Sequence, residues 1–281
     1  MPEMSRSNRP LFGVDLARML SAGAARIEQE LAALNRLNVF PVPDADTGTN
    51  MLHTVKRANR EIEKLEGSTR PPVGRVASMF ANGAFAGARG NSGVILSQIL
   101  SGFARSVDGA VNLDALGLVS ALRMASAVAY NSVSEPVEGT MLTVIRDVAG
   151  AVEPLALKRD SSVLDVLNAA TQAAHESVRR TPELLEVLRE HGVVDAGALG
   201  VALFLEGMRD SLDSSSGPVS EAYWLNEAIA EPATESGVAL QTRAREPSHH
   251  PKVFEHAEFG YCTGFLISGS ATEISEVQRV V

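Results

Sequence analysis

Asp44 and Asp46 stand one residue apart in the string Asn38-Val39-Phe40-Pro41-Val42-Pro43-Asp44-Ala45-Asp46-Thr47-Gly48-Thr49-Asn50. Two carboxylates so close together, in a loop stiffened by Pro41 and Pro43, present several hard oxygens to one small volume. That is what Mg²⁺ bound to a polyphosphate requires. Thr47, Gly48, Thr49 and Asn50 then lead into a helical pattern, whose free N–H groups and positive dipole end suit an anion. Metal and phosphate chemistry are thus expected side by side. An ordinary Asp/Thr/Gly loop that merely starts a helix accounts for the same local string.

A second junction, Gly87-Ala88-Arg89-Gly90-Asn91-Ser92-Gly93-Val94-Ile95-Leu96, also passes from glycines into an apolar helical pattern. Gly90 and Gly93 let a ligand approach the backbone, and Asn91 and Ser92 offer donors. Tight packing of two helices is the competing explanation. Further along, Pro136-Val137-Glu138-Gly139-Thr140-Met141-Leu142 starts a helix with Thr140 and Met141, either as the lining of an adenine pocket or as a cap over a core methionine. Thr181-Pro182-Glu183 through Gly192-Val193-Val194-Asp195-Ala196-Gly197-Ala198 gives a short helix, a turn and a helix capped near Asp195.

Familiar sites with similar letters fit less well. Asp46-Thr47-Gly48 matches an aspartic-protease triplet, but those aspartates sit on β-rich lobes and this context is helical. Asp44-Ala45-Asp46 has the two aspartates of a haloacid-dehalogenase nucleophile loop, yet Gly48 stands where that loop has threonine. Neither G-x-x-x-x-G-K-[ST] nor G-x-G-x-x-G occurs, so P-loop, protein-kinase and Rossmann sites lack their fingerprints.

The elements that would position these residues are helices. Leu16, Leu20, Ala24, Ile27 and Leu31 recur at helical intervals from Gly13 to about Asn35. Similar periodicity predicts helices near 50 to 66, 74 to 88, 92 to 105, 114 to 131, 140 to 152, 162 to 179, 182 to 190 and 197 to 212, with Gly, Pro or Asn at most junctions. Residues 10–212 are therefore expected to form one all-α domain. Residues 213–257, rich in Ser, Glu, Pro and His, are expected to be a linker. Residues 258–281, with the strand-like run Phe259 to Ser268, are expected to begin a second, α/β domain that is incomplete.

Composition narrows the partners. A formal charge of −9, a pI near 5.2 and four lysines disfavour nonspecific binding to nucleic acid or to an anionic membrane surface. The single cysteine, Cys262, cannot form an internal disulfide. Asp15 and Arg18 interrupt the first apolar stretch, which argues against a signal peptide, and no uncharged run is long enough for a membrane span. The cytoplasm is the expected compartment.

Taken together and in order, Asn38 to Met51, Ala88 to Gln98, Pro136 to Val144, Val193 to Gly200 and Tyr261-Cys262-Thr263 resemble the dihydroxyacetone-kinase L-domain (DAK2) superfamily, and more narrowly the ATP-binding subunit of bacterial fatty acid kinase. The resemblance implies an antiparallel helical barrel with ATP or ADP at one end and, most often, two Mg²⁺ ions. It implies that Asp44 and Asp46 hold metal, with Asn38 near the place of a further aspartate in the dihydroxyacetone branch. Thr47, Gly48, Thr49, Asn50, Asn91, Ser92 and Gly93 would meet phosphate. Thr140, Met141, Thr181, Asp195, Ala196 and Gly197 would border the nucleoside.

Between its two aspartates the chain has Ala45 where relatives usually have glycine, so a positive φ there would be costly. The resemblance further implies an acyl-phosphate product and a fatty-acid-binding partner of the DegV type, with a homodimer as an open alternative for assembly. It places Cys262 where such subunits have a metal-binding cysteine. A carboxylate acceptor, ionised near neutrality, needs no general base. A dihydroxyacetone-kinase L-type domain and a nucleotide-binding module without turnover remain the competing functions.

Overall fold

A computed structural model of the chain describes residues 10–65, 70–158 and 160–212. The segments expected to form a linker and to begin a second domain, with Cys262, lie outside the described residues.

The first amphipathic pattern folds as α1 (Gly13–Gln29), entered through a two-residue strand β1 (Leu11–Phe12). Its Leu16, Met19, Leu20 and Ile27 are fully buried, as the three- and four-residue spacing requires. The chain breaks at Glu30 into a short α2 (Leu31–Arg36), where the sequence pattern predicts one uninterrupted helix. The break lays Leu31, Leu34 and Asn35 against Gly48 at the start of α3 (Thr47–Glu63). There follow α4 (Val73–Gly87), α5 (Gly90–Ser106), β2 (Asn112–Leu113), α6 (Ala115–Asn131) and α7 (Met141–Val152). A 3-10 turn (Glu153–Leu157), α8 (Val163–Leu184), α9 (Glu186–His191) and α10 (Ala196–Asp210) complete the domain. Residues β1 and β2 pair antiparallel, Leu11 opposite Leu113. Two-residue strands are too short for any periodicity to announce them.

Helix α8 runs to Leu184, beyond the expected end near residue 179, and carries Pro182 in its last turn. Proline has no N–H for the carbonyl of Val178. The Thr181 hydroxyl donates to that carbonyl instead, at 2.8 Å. The helix thus survives its proline.

Around the domain, α1 packs on α3, α3 on α4, α4 on α5, α5 on α6, α6 on α7, α7 on α8, α8 on α10, and α10 on α1 again. This closed ring is the antiparallel helical barrel expected from the sequence. Short connections reverse the chain at each step, as specific pairs show. Gly83 lies beside Ala58 and Gly87 beside Arg57, and Ser21 bonds Asn59 while Glu28 meets Lys56. Small residues let backbones approach: Gly23 lies on Phe204, Gly102 on Ala125 and Gly207 on Ala22. The interior is packed with aliphatic side chains around a cavity of about 30 Å³ lined by residues such as Leu20, Leu96, Phe103, Ile145 and Phe204. Helix α10 is buried without interruption from Ala196 to Met208. It is the most enclosed element among those described.

Helices α3, α5, α7 and α10 all begin at the same end of the barrel, while α1, α4, α6 and α8 begin at the other. Every candidate residue named above, from Asn38 to Gly197, is at the first of these ends. No described helix is long and apolar enough to cross a membrane.

Candidate nucleotide and metal site

The loop between α2 and α3 is held from below by Asn38. Its side-chain amide donates to the Val42 carbonyl (2.7 Å) and to Asp44 Oδ1 (2.9 Å), and its oxygen accepts from the Thr47 hydroxyl. Asn38 is buried, whereas Asp44 is exposed and Asp46 half-buried. The expected metal ligand Asn38 therefore has both ends of its amide occupied by the loop. It supports Asp44 directly and, through Thr47, the start of α3. Ala45, between them, has φ 56°, the left-handed conformation for which glycine is suited.

The two carboxylates crowd one another. Burial, with the neighbouring charge of Asp44, raises the pKa of Asp46 above the usual carboxylate range, although a hydrogen bond from Asn50 opposes the shift. Among the described residues neither aspartate has an ion-pair partner in Lys, Arg or His, and no group of three or more His, Cys, Asp or Glu is gathered that could hold a metal. A pair of carboxylates with uncompensated charge fits a divalent cation that brings most of its other oxygens from water and phosphate, the habit of Mg²⁺.

Asp46 precedes α3 but does not cap it with its side chain, and Arg89, exposed before α5, does not cap α5. At α3 the Thr49 N–H is engaged by Asn35 Oδ1 (3.1 Å), and Asn35 also donates to the Thr49 hydroxyl (3.0 Å). The two helix starts touch. A Cβ on Gly90, which has φ +59°, would lie 2.4 Å from Asn50 Nδ2, and one on Gly93 would lie 2.5 Å from Thr54 Oγ1. His53 adds a contact from Nδ1 to the Gly87 carbonyl (2.9 Å). Thr47, Gly48, Asn50 and Gly93 are buried in this junction; Thr49 and Asn91 are exposed and Ser92 half-buried.

The other two helix starts at this end are closed by the protein itself. Thr140 caps α7 by accepting from Leu142 N (3.3 Å), and Thr143 accepts from Gly139 N (2.8 Å) while donating to Glu138 (2.7 Å). Asp195 caps α10 by accepting from Ala198 N at 2.7 Å. Met141, Thr181, Asp195, Ala196 and Gly197 are all buried, and Met141 Sδ is 3.3 Å from where a Cβ on Gly197 would be. The structure brings these expected nucleoside residues together as a packed wall, with Thr140 half-buried at its edge. The wall meets the phosphate side through Met51 of α3, whose Sδ lies 2.5 Å from a Cβ position on Gly200 of α10.

Three further supports have no signal in the sequence: Asn35, His53 and the Glu138–Thr143 pair. Each lies inside a helix pattern or beside a cap, where its type carries no signal of its own.

A model of the DAK2 domain matches residues 41–210. Protein YloV of Bacillus subtilis is 37% identical over 262 residues, covering 93% of this chain and 45% of that protein. An uncharacterized protein of Staphylococcus haemolyticus is 33% identical over 264 residues, covering 94% of this chain and 44% of its own length. The chain thus spans less than half the length of these curated relatives. Among solved structures, the dihydroxyacetone kinase from C. freundii in complex with AMP-PNP and Mg²⁺ superposes with a TM-score of 0.50 and 21% identity, over 75% of this chain and 36% of that one. That likeness concerns the fold. The matched family model spans the helices from α3 to α10 and the aspartate loop before them, and the chain belongs to the DAK2 domain family.

Proposed function

We propose that the domain binds Mg-ATP and transfers its terminal phosphoryl group, and that the acceptor is a fatty acid carboxylate presented by a separate fatty-acid-binding protein of the DegV type. One observation carries the nucleotide reading. Of the four helix starts at the loop end, α7 and α10 are capped by the side chain of the preceding residue, whereas Asp46 does not cap α3 and Arg89 does not cap α5. The Thr49 N–H of α3 is taken by Asn35, and these two starts touch each other beside Asp44 and Asp46. The complex of the C. freundii kinase with AMP-PNP and Mg²⁺ supports the same ligand pair.

In this reading Asp44 and Asp46 hold the metal and Asn38 fixes Asp44. Bound Mg²⁺ supplies charge neutralisation at the transferring phosphoryl group. The N–H groups at the starts of α3 and α5, with the side chains of Asn91 and Ser92, orient the phosphates. The wall of Met141, Thr181, Asp195, Ala196 and Gly197 limits the space for the nucleoside, with Thr140 at its edge. A carboxylate acceptor is already ionised near pH 7, so no side chain has to remove a proton from it.

The fatty acid assignment rests on the Asp-x-Asp-Thr-Gly-Thr-Asn string and on Tyr261-Cys262-Thr263; a dihydroxyacetone acceptor is favoured instead only by the structural likeness. The test is ATP consumption by the chain with a fatty-acid-loaded DegV-type protein, with dihydroxyacetone, and with neither. Acyl-phosphate formation only in the first mixture is expected. Binding of Mg-ATP without turnover in any mixture would leave a nucleotide-binding module.

A further inference from the structure

The turn that leads into α7 is built on a carboxylate that the nucleotide reading leaves unused. Glu138 Oε1 accepts from the Tyr130 hydroxyl of α6 (3.0 Å) and from Arg146 Nη1 of α7 (2.6 Å), and its Oε2 accepts from the Thr143 hydroxyl (2.7 Å). Thr143 in turn accepts from the N–H groups of Gly139 (2.8 Å) and Thr140 (3.4 Å). Thr143 and Gly139 are buried, so the Gly139 N–H depends on this hydroxyl for its acceptor.

Chemistry fixes the direction of these bonds. A threonine hydroxyl has one hydrogen and two lone pairs. Both lone pairs of Thr143 face backbone donors, and its hydrogen goes to Glu138. Burial works against ionisation of Glu138, but the bonds from Thr143 and Tyr130 and the charge of Arg146 outweigh it and hold the carboxyl below its ordinary range. Burial and the bond to Glu138 push the Tyr130 phenol up to about 12, so it stays a donor. The turn is also tightly confined. Gly139 has φ +81°, and a Cβ on it would lie 2.9 Å from both the Thr181 carbonyl and Leu185 Cβ, so the turn passes directly over the end of α8.

We propose that Glu138 is a positioning residue: through the Thr143 hydroxyl it holds the Gly139–Thr140 turn, and thereby sets where Met141 meets the nucleoside. The proposal rests on the reading of this end as a nucleotide site. Glu138 acts on the ligand only through the residues that follow it. Without its carboxylate the Thr143 hydroxyl turns its hydrogen to the Gly139 carbonyl, four residues back, as threonine does inside helices, and the N–H groups of Gly139 and Thr140 lose their acceptor. The effect belongs to the nucleoside half of the site, because the phosphate candidates are on α3 and α5.

The experiment is calorimetric titration of Mg-ADP and, separately, of Mg-tripolyphosphate into the full chain. The variants are Glu138→Ala, Glu138→Gln, Thr143→Val and the double variant Glu138→Ala/Thr143→Val, with melting temperatures to confirm folding. Glu138→Ala and Thr143→Val should each weaken Mg-ADP about tenfold and leave Mg-tripolyphosphate within about twofold. The double variant should be no weaker than either single one, since both break the same relay. Glu138→Gln keeps an acceptor for Thr143 and should bind Mg-ADP within about threefold of wild type. Wild-type Mg-ADP affinity in Glu138→Ala overturns the proposal, as does an equal loss for both ligands, an additive loss in the double variant, or a Gln variant as weak as the Ala variant. A wild-type chain that does not bind Mg-ADP overturns the nucleotide reading itself, and the role of Glu138 with it.

Discussion

Ala45 holds φ 56° between two aspartates, a conformation that costs a residue with a Cβ about 1 kcal/mol or more. The loop accepts that strain because Asn38 and Thr47 pin it on either side. Ala45→Gly relieves the strain and loosens the unfolded chain, so urea denaturation should show a gain of up to about 1 kcal/mol or no change. A loss of stability would mean that the Ala45 methyl makes a packing contact of its own. Asp44→Ala and Asp46→Ala should lower phosphoryl transfer roughly a hundredfold or more while circular dichroism and melting stay near wild type, because the loop contributes little to the core. Near-normal turnover in both would remove the metal assignment. The crowding of Asp44 and Asp46 is legible in the sequence because a single intervening residue keeps the two side chains in one small volume. The part Asn38 plays is not: an asparagine that ligates and one that props a ligand look alike until both ends of the amide are traced. Thr140, Met141, Thr181 and Asp195 are legible as residues at helix starts and ends, but that Met141, Thr181 and Asp195 meet in one buried wall depends on helices far apart in sequence.

At the scale of elements, the junction of α3 and α5 works because Gly90 admits Asn50 where a side chain would collide. Gly90→Ala combines an unfavourable φ with a 2.4 Å contact. It should cost on the order of 1–3 kcal/mol of stability and at least about tenfold in Mg-ADP affinity, read by denaturation and calorimetry. Gly150, in α7 with open space around its Cβ, is the matched control, and Gly150→Ala should stabilise by about 0.5–1 kcal/mol with binding intact. Helix existence was readable from apolar spacing for α3 through α7, whose ends fall within a few residues of expectation. The pattern failed where a local substitute intervened. Thr181 replaces the proline's missing donor and extends α8, and Glu30 breaks the first helix although Leu31 continues its apolar spacing.

For the whole molecule, every phosphate and Mg²⁺ candidate lies before residue 200 and on the barrel. A chain cut after Leu212 should therefore bind Mg-ATP within about tenfold of the full chain, roughly 1.4 kcal/mol, in parallel titrations. A larger loss would bring later residues into the nucleotide site. The same alternation that gathers four helix starts at one end returns α10 to the end where α1 begins, and these two helices are neighbours. Pro10 and Leu212 can accordingly be joined by a linker of about eight residues, and the chain reopened at Gly109, where no atom lies within 4 Å of a Cβ position. Such a circular permutant should keep its helical signal and its Mg-ADP affinity, because the order in which the ring is threaded does not enter the chemistry at its mouth.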